Sequence, residues 1–296
     1  MNIIRAEHLG MCFGVRDAIA LALNQTQTAP LTILGDLVHN ETVLAQLRDR
    51  GIHIQHHVAN VNTANVMITA HGTSETTLKS VRERGLNVLE ATCPLVRVAH
   101  RAVAELIAAG FHPVIIGKRD HVEVRGLTGD LTDFDVVLNE ADVLQLPERI
   151  RFGIAAQTTQ PIDKVRYLVG LIRERFPQAE VRFIDTVCQP TKQRQTAAVT
   201  LAQQSDVVVV IGGAHSNNTH ELVARCRQHC PRVHHVQTAA DLRPEWFANA
   251  QTVGLTAGTS TPDTTIADIE SWLKQFSHER DEEPGPRAAH KWHQAN

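Results

Sequence analysis

Three of the five cysteines, Cys12, Cys93 and Cys188, share one setting: each stands in a short turn between an apolar strand and a helix. Asn2-Ile3-Ile4 leads to Cys12 and a helix from about Val15. Glu90-Ala91-Thr92 leads to Cys93-Pro94-Leu95 and a helix over residues 96–109, and Val181-Arg182-Phe183-Ile184 leads to Cys188 and a helix from about Thr191. Each helix runs into a second strand that stops at a glycine, Gly35, Gly117 or Gly212, so cysteine and glycine are 23, 24 and 24 residues apart. A fixed internal period is the mark of a repeated supersecondary unit. If three such units close around an axis, their thiols converge, and three convergent thiolates suit an iron-sulfur cluster or, less well, zinc. A four-iron four-sulfur cluster usually takes four cysteines, so three leave one iron open to act as a Lewis acid as well as an electron store.

The same register locates a second ring of groups. Four positions beyond each strand-ending glycine stand His39, His121 and Ser216, with Glu41, Glu123 and Asn218 two further on. A further strand and turn in each unit adds His71, Thr158, Thr159 and Ser260. In parallel α/β sheets ligands sit beyond the carboxyl ends of strands. Histidines, hydroxyls and an amide there, some near helix N-termini, are what a small phosphorylated anion needs. No Gly-x-x-x-x-Gly-Lys-Ser/Thr loop is present, which speaks against a nucleoside triphosphate. A carboxylate among anion-binding groups is repelled unless protonated, so Glu41 or Glu123 is the candidate acid. Lys118, Arg119 and Asp120 flank His121 just past a buried strand, a costly placement unless they face a site.

The elements that position these residues alternate strand and helix. They predict an α/β fold of three similar units in pseudo-threefold symmetry, spanning residues 1–86, 87–180 and 181–277 around the central cluster. A charged, then proline-rich stretch from His278 to Asn296 is expected to be disordered. A net charge of −3 and 4% aromatic residues give no reason to bind nucleic acid or acidic membrane. No run of eighteen apolar residues and no signal-peptide pattern occur, so a cytoplasmic protein with reduced cysteines is expected. Cys226 and Cys230 have no counterpart in the other units and read as small buried hydrophobes. His53, His56 and His57 read as solvated surface residues.

The ordered series Cys12-Phe13-Gly14-Val15, Val38-His39-Asn40, Ala70-His71-Gly72, Ala91-Thr92-Cys93-Pro94-Leu95-Val96, His121-x-Glu123-Val124-x-Gly126, Gln157-Thr158-Thr159, Cys188 with Arg194-Gln195, Ser216-x-Asn218-Thr219 and Thr256-Ala257-Gly258-x-Ser260-x-Pro262-Asp263 covers residues 1 to about 275. It resembles the motif series of the 4-hydroxy-3-methylbut-2-enyl diphosphate reductases. The resemblance implies an iron-sulfur enzyme of the non-mevalonate isoprenoid pathway. Its members remove an allylic hydroxyl with two electrons and two protons, giving isopentenyl and dimethylallyl diphosphate. By motif, Cys12, Cys93 and Cys188 hold a 4Fe-4S cluster with one open iron. His39, His71, His121, Ser216, Asn218 and Ser260 hold the diphosphate, and Glu123, with Thr158, delivers protons. Ferredoxin or flavodoxin is implied as electron donor, the chain having no flavin or nicotinamide fingerprint of its own. Val122 stands where the family usually has proline, and Lys118 where histidine is common.

Two other readings compete. Quinolinate synthase is similar in being a threefold α/β protein with three cysteines and an open iron, but lacks this motif order. A non-catalytic α/β protein that binds small anions, its cysteines merely buried, is the second. A colourless, iron-free protein after anaerobic purification that still bound diphosphates would favour it.

Overall fold

In the computed structural model, which describes residues 1–282, strands and helices alternate from end to end. β1 (Asn2–Arg5), α1 (Phe13–Thr26), β2 (Leu31–Leu34), α2 (Glu41–Asp49), β3 (His53–Gln55), β4 (Asn65–Ile68) and α3 (Glu75–Glu83) come first. The second period holds β5 (Asn87–Glu90), α4 (Pro94–Ala108), β6 (His112–Ile116), α5 (Val122–Thr128), β7 (Asp135–Val137), α6 (Glu140–Gln145), β8 (Arg151–Ala156) and α7 (Ile162–Arg175). The third holds β9 (Glu180–Phe183), α8 (Gln189–Gln203), β10 (Val207–Ile211), α9 (Asn217–Arg227), β11 (Val233–Val236), β12 (Thr252–Ala257) and α10 (Asp263–Glu282).

The strands form three parallel four-stranded sheets of identical topology: β5-β4-β2-β3, β9-β8-β6-β7 and β1-β12-β10-β11. Helices cover both faces of such sheets, so central strands read as unbroken apolar runs rather than alternating ones. Val207-Val208-Val209-Val210-Ile211 is the plainest case, with all five side chains fully buried. Each such side chain contributes roughly 1.5 to 3 kcal/mol on burial.

One strand of every sheet is exchanged. β5 and β9 follow the first and second units in sequence, yet each pairs in parallel with the last strand of the unit before it, β4 or β8. β1 pairs with β12 of the third unit, which closes the ring. The sequence period thus separates one edge strand of each sheet from the other three, its first boundary just ahead of β5 and its second one residue inside β9.

The cysteine-bearing helices start about two residues earlier than hydropathy predicts. Phe13-Gly14, Pro94-Leu95 and Gln189-Pro190 resemble turns in sequence but occupy first turns of helices, where proline costs nothing because its missing N–H would be unpaired anyway. At the other end, the expectation of disorder from His278 onward does not hold for residues 278–282. Residues 278–282 continue α10, and Arg280 donates from Nη1 to the carbonyl of Ala250 at 2.9 Å. Residues 283–296 lie outside the described residues.

Candidate active site

Each of the three exchanged strands β1, β5 and β9 is followed by a short connection to a cysteine, and each cysteine is the N-cap residue of the next helix. Their backbones are anchored alike. Cys12 donates its N–H to the carbonyl of Thr259, Cys93 to that of Ala70 and Cys188 to that of Thr158, each at 3.0 Å. Every thiol is therefore held by the turn beyond the strand next to its own. The three converge on one pocket of about 80 Å³, which Phe13, Gly14, His71, Glu123 and Thr158 also line.

All three cysteines are unpaired. Burial raises the pKa of Cys93 and Cys188, and the charges of Cys12 and Glu123 raise both further. Backbone N–H groups of Leu95 and Val96 oppose this at Cys93, and the Thr191 hydroxyl does so at Cys188, 3.1 Å from its sulfur. A buried cation is close by: Arg194 donates from Nε to the carbonyl of Gly10 at 3.0 Å, and the charges of Cys12 and Cys188 raise its pKa against the lowering by burial. Three desolvated thiolates beside a carboxylate repel one another unless a positive centre is bound among them, while three helix N-termini favour their anionic form. The donor set and its electrostatics fit an iron-sulfur cluster.

Next to the thiol pocket, His39, His71 and His121 stand with ring centroids 5.0 to 5.6 Å apart. Ser216, Asn218, Thr159 and Ser260 line the same small cavity. His39 Nε2, His71 Nδ1, both amide atoms of Asn218 and Ser260 Oγ are buried without a hydrogen-bond partner. Buried polar groups are nearly always paired, so this many orphans around one cavity mark a ligand site.

Burial lowers the pKa of all three histidines, His71 well below the ordinary value and His121 to about 3, with mutual repulsion adding to the effect at His71 and His121. They are neutral near pH 7 when nothing is bound. The Nδ1 of His121 accepts the N–H of Glu123 at 3.1 Å, which assigns its proton to Nε2 and makes that atom a donor. The three imidazoles lie close enough to share a metal ion, their ligand atoms within 4.8 Å of one another. The hydroxyl and amide groups around them favour an anion.

Glu123 lines the thiol pocket, and its N–H donates to His121 of the histidine cavity. Sequence suggests a tight loop from His121 to Gly126, but His121 caps α5 and Glu123 lies in its first turn. Val122 is the first helical residue, where proline would be equally at home. What separates Glu123 from Glu41 is therefore burial, not loop against helix. Glu41 is exposed and paired with Arg48, whereas Glu123 is 1% exposed. Its Oε1 accepts the N–H of Thr158 at 2.6 Å and its Oε2 faces the Thr158 hydroxyl at 2.9 Å. Burial raises its pKa to about 7 although both bonds from Thr158 lower it.

The remaining cysteines are buried in an apolar cluster away from this centre. Cys226 has its pKa pushed up to about 12 by burial, and Cys230 lies beyond the end of α9, contacting the carbonyl of Ser205 at 3.4 Å. His53 and His57 are exposed. His56 lies 3.6 Å from Asp36 at the rim of an outer pocket. Two contributors stand in the motif series without a role assigned to them. Asn40 caps α2 through Val43 N–H and donates to the carbonyl of Ser260 at 3.2 Å, tying the His39 loop to the third unit. Arg194 sits within an apparently ordinary helical stretch, its sole signal being a charge on the face that carries buried Ala197, Ala198 and Leu201.

Fold and site together define a three-unit α/β protein whose three-thiol centre adjoins a histidine-lined anion pocket. The family model described as LytB protein matches residues 3–274, and the chain belongs to this family. The 4-hydroxy-3-methylbut-2-enyl diphosphate reductase of Trichlorobacter lovleyi is 35% identical over 280 residues, covering 94% of this chain and 99% of that one. The enzyme of the same name from Aquifex aeolicus is 36% identical over 283 residues, covering 93% and 97%. A solved structure described as (E)-4-hydroxy-3-methyl-but-2-enyl diphosphate reductase, the terminal enzyme of the non-mevalonate pathway, is 34% identical, with a TM-score of 0.68 over 93% of this chain and 100% of that one. The corresponding reductase from Plasmodium falciparum, 24% identical with a TM-score of 0.84 over 93% and 87%, shares the fold.

Proposed function

We propose that this protein reduces 4-hydroxy-3-methylbut-2-enyl diphosphate to isopentenyl and dimethylallyl diphosphate. The observation that carries the reading is the juxtaposition of the three-thiol pocket and the histidine cavity, with His71 lining both and Glu123 in the wall of the thiol pocket. Cys12, Cys93 and Cys188 hold a 4Fe-4S cluster. When bound, that cluster supplies electrons and, at the iron without a protein ligand, a Lewis acid. The chain's own groups do the rest. His39, His71, His121, Ser216, Asn218 and Ser260 hold the diphosphate, whose charge raises the histidine pKa values against the lowering by burial. Glu123, protonated near neutrality because it is buried, donates a proton through the Thr158 hydroxyl. The balance is one allylic alcohol, two electrons and two protons in, one hydrocarbon terminus and one water out.

Ferredoxin or flavodoxin delivers the electrons one at a time, and Phe13, 45% exposed beside Cys12, gives such a carrier an apolar foothold near the thiols. Unpaired cysteines support a cytoplasmic location. Among the described residues no helix is long and apolar enough to cross a membrane. The test is anaerobic reconstitution with iron and sulfide, then turnover of the allylic diphosphate with reduced viologen. Both five-carbon diphosphates are expected. An iron-loaded protein that yields neither overturns the reading.

Two further outcomes follow. Alanine at His39, His71 or His121 removes one charge-assisted hydrogen bond to phosphate, so each variant is expected to bind substrate more weakly by about 1.5 to 3 kcal/mol with its iron retained. Dissociation constants at the wild-type value would exclude that histidine from the diphosphate site. Gly14→Ala probes packing at the thiols: a Cβ there lies 2.7 Å from the Cys93 sulfur, closer than van der Waals contact allows. The variant is expected to fold with a wild-type circular dichroism spectrum and to retain less iron per chain, a defect that the larger Gly14→Val must deepen.

A further inference from the structure

The groups assigned to the diphosphate carry no full positive charge before it binds. No lysine or arginine lines either the thiol pocket or the histidine cavity. The three histidines are neutral in the free protein for the reasons given above. Hydroxyl and amide donors direct hydrogen bonds at an anion but bring no net charge.

Full positive charge begins one step further out. A third pocket, of about 280 Å³, opens on the far side of His39 and His121, and Lys118, Arg125 and His215 line it. The three cavities thus share walls in sequence: thiol pocket and histidine cavity through His71, histidine cavity and outer pocket through His39 and His121. Neither the ammonium of Lys118 nor the guanidinium of Arg125 has a carboxylate partner among the described residues. Asp36 and Asp120 also line the outer pocket, with Asp36 facing His56. Lys118 acts on both His39 and His121, and Arg125 on His121, lowering the pKa of each, which puts both cations within electrostatic reach of the histidine ring. Strand β6 and helix α5 hold them there: Lys118 follows Gly117 at the strand end, and Arg125 lies in the short helix that His121 caps.

We propose that Lys118 and Arg125 form an outer phosphate step that takes the terminal phosphate of a diphosphate whose inner phosphate lies among the three histidines, and so set the preference for diphosphate over monophosphate esters. The proposal rests on the diphosphate-binding reading above. An alkyl chain directed at the thiol pocket orders the rest: inner phosphate at the histidines, terminal phosphate outward, where the unpaired cations are. Both cations are exposed, so each contributes as a screened charge and not as a buried ion pair.

Calorimetric titration of the iron-loaded protein with inorganic diphosphate and with inorganic monophosphate tests this. Lys118→Gln, Arg125→Gln and the double variant are compared with wild type, and His71→Ala reports on the inner site. Each single variant is expected to weaken diphosphate binding roughly three- to tenfold and the double variant by about the product, with monophosphate binding unchanged. The wild-type advantage for diphosphate must shrink as salt rises from ~0.05 to ~0.5 M. Wild-type diphosphate affinity in the double variant, with binding lost in His71→Ala, overturns the outer step and leaves the inner site standing. Wild-type affinity in all the variants overturns both. Equal losses for monophosphate and diphosphate also overturn it, since the cations would then act as a general field.

Discussion

Serine at Cys12, Cys93 or Cys188 is expected to abolish cluster retention, whereas Cys226→Ser and Cys230→Ser keep wild-type iron and sulfide. A hydroxyl is a poor iron-sulfur ligand at neutral pH, and a set of three has no redundancy. Each member is also placed by the same two constraints, a helix N-terminus ahead and a carbonyl of the adjacent turn behind, at 3.0 Å in all three cases. Loss of one thiol therefore removes a ligand that no other thiol in the pocket can replace. The other two cysteines are buried in the apolar core between α8, α9 and the β10 sheet, and their sulfurs contact main-chain carbonyls. Iron and sulfide content of the five anaerobically purified variants is the measurement. Full iron in the Cys93 variant refutes the trio as the ligand set.

Glu123→Gln is expected to give a folded, iron-bearing protein that binds substrate and turns over ~10²-fold or more slowly. Carbon-oxygen cleavage releases hydroxide unless a proton arrives, and glutamine can accept the N–H of Thr158 but has no acidic proton to pass to its hydroxyl. The pH profile gives an independent signature. With a pKa raised to about 7, Glu123 is protonated below that value, so the wild-type rate should fall as pH rises through 7. The variant should lack that limb. Stability follows the same sign: a raised carboxyl pKa contributes stability that is complete below the ordinary value of 4.5 and is lost as pH rises through about 7. Above pH 7 the variant should therefore unfold no more readily than wild type. Excess reductant must be present so that electron supply does not limit the rate. A near-wild-type rate for Glu123→Gln moves the acid role to Thr158 itself or to the substrate's phosphate.

Much of this architecture is legible in the sequence because it is written three times. The spacing from cysteine to glycine fixes where strand, turn and helix recur, and buried parallel strands such as Val207–Ile211 leave unbroken apolar runs that locate each sheet. The ring of His39, His121 and Ser216 follows from register alone. Hydrogen bonding between strands leaves no such trace: nothing in Asn87-Val88-Leu89-Glu90 tells whether it pairs with the strand before it or after it, since that depends on how the units pack. The state of Glu123 was half legible. Its position in the repeat marks it, but burial to 1% is a tertiary fact, and a helix of seven residues containing Gly126 is too short for periodicity to reveal. The burial of Arg194, a residue the motif series contains, is illegible for the opposite reason, because a charged residue on a helix ordinarily signals a solvated face.

The exchanged strands bear on how the molecule can be assembled and taken apart. Since β5 completes the first sheet, β9 the second and β1 the third, no single period can be excised with an intact sheet of its own. The units interlock cyclically, and the last pairing to form, whichever it is, closes a circle rather than extending a row. Each thiol follows a strand lent to the neighbouring sheet and is tied by its backbone N–H to that sheet's adjacent turn, so the distance between any two sulfurs reports whether a joint between units is shut. A ligand gripping all three is a rivet through every joint at once, and its loss should loosen the molecule at its three seams while each sheet remains whole.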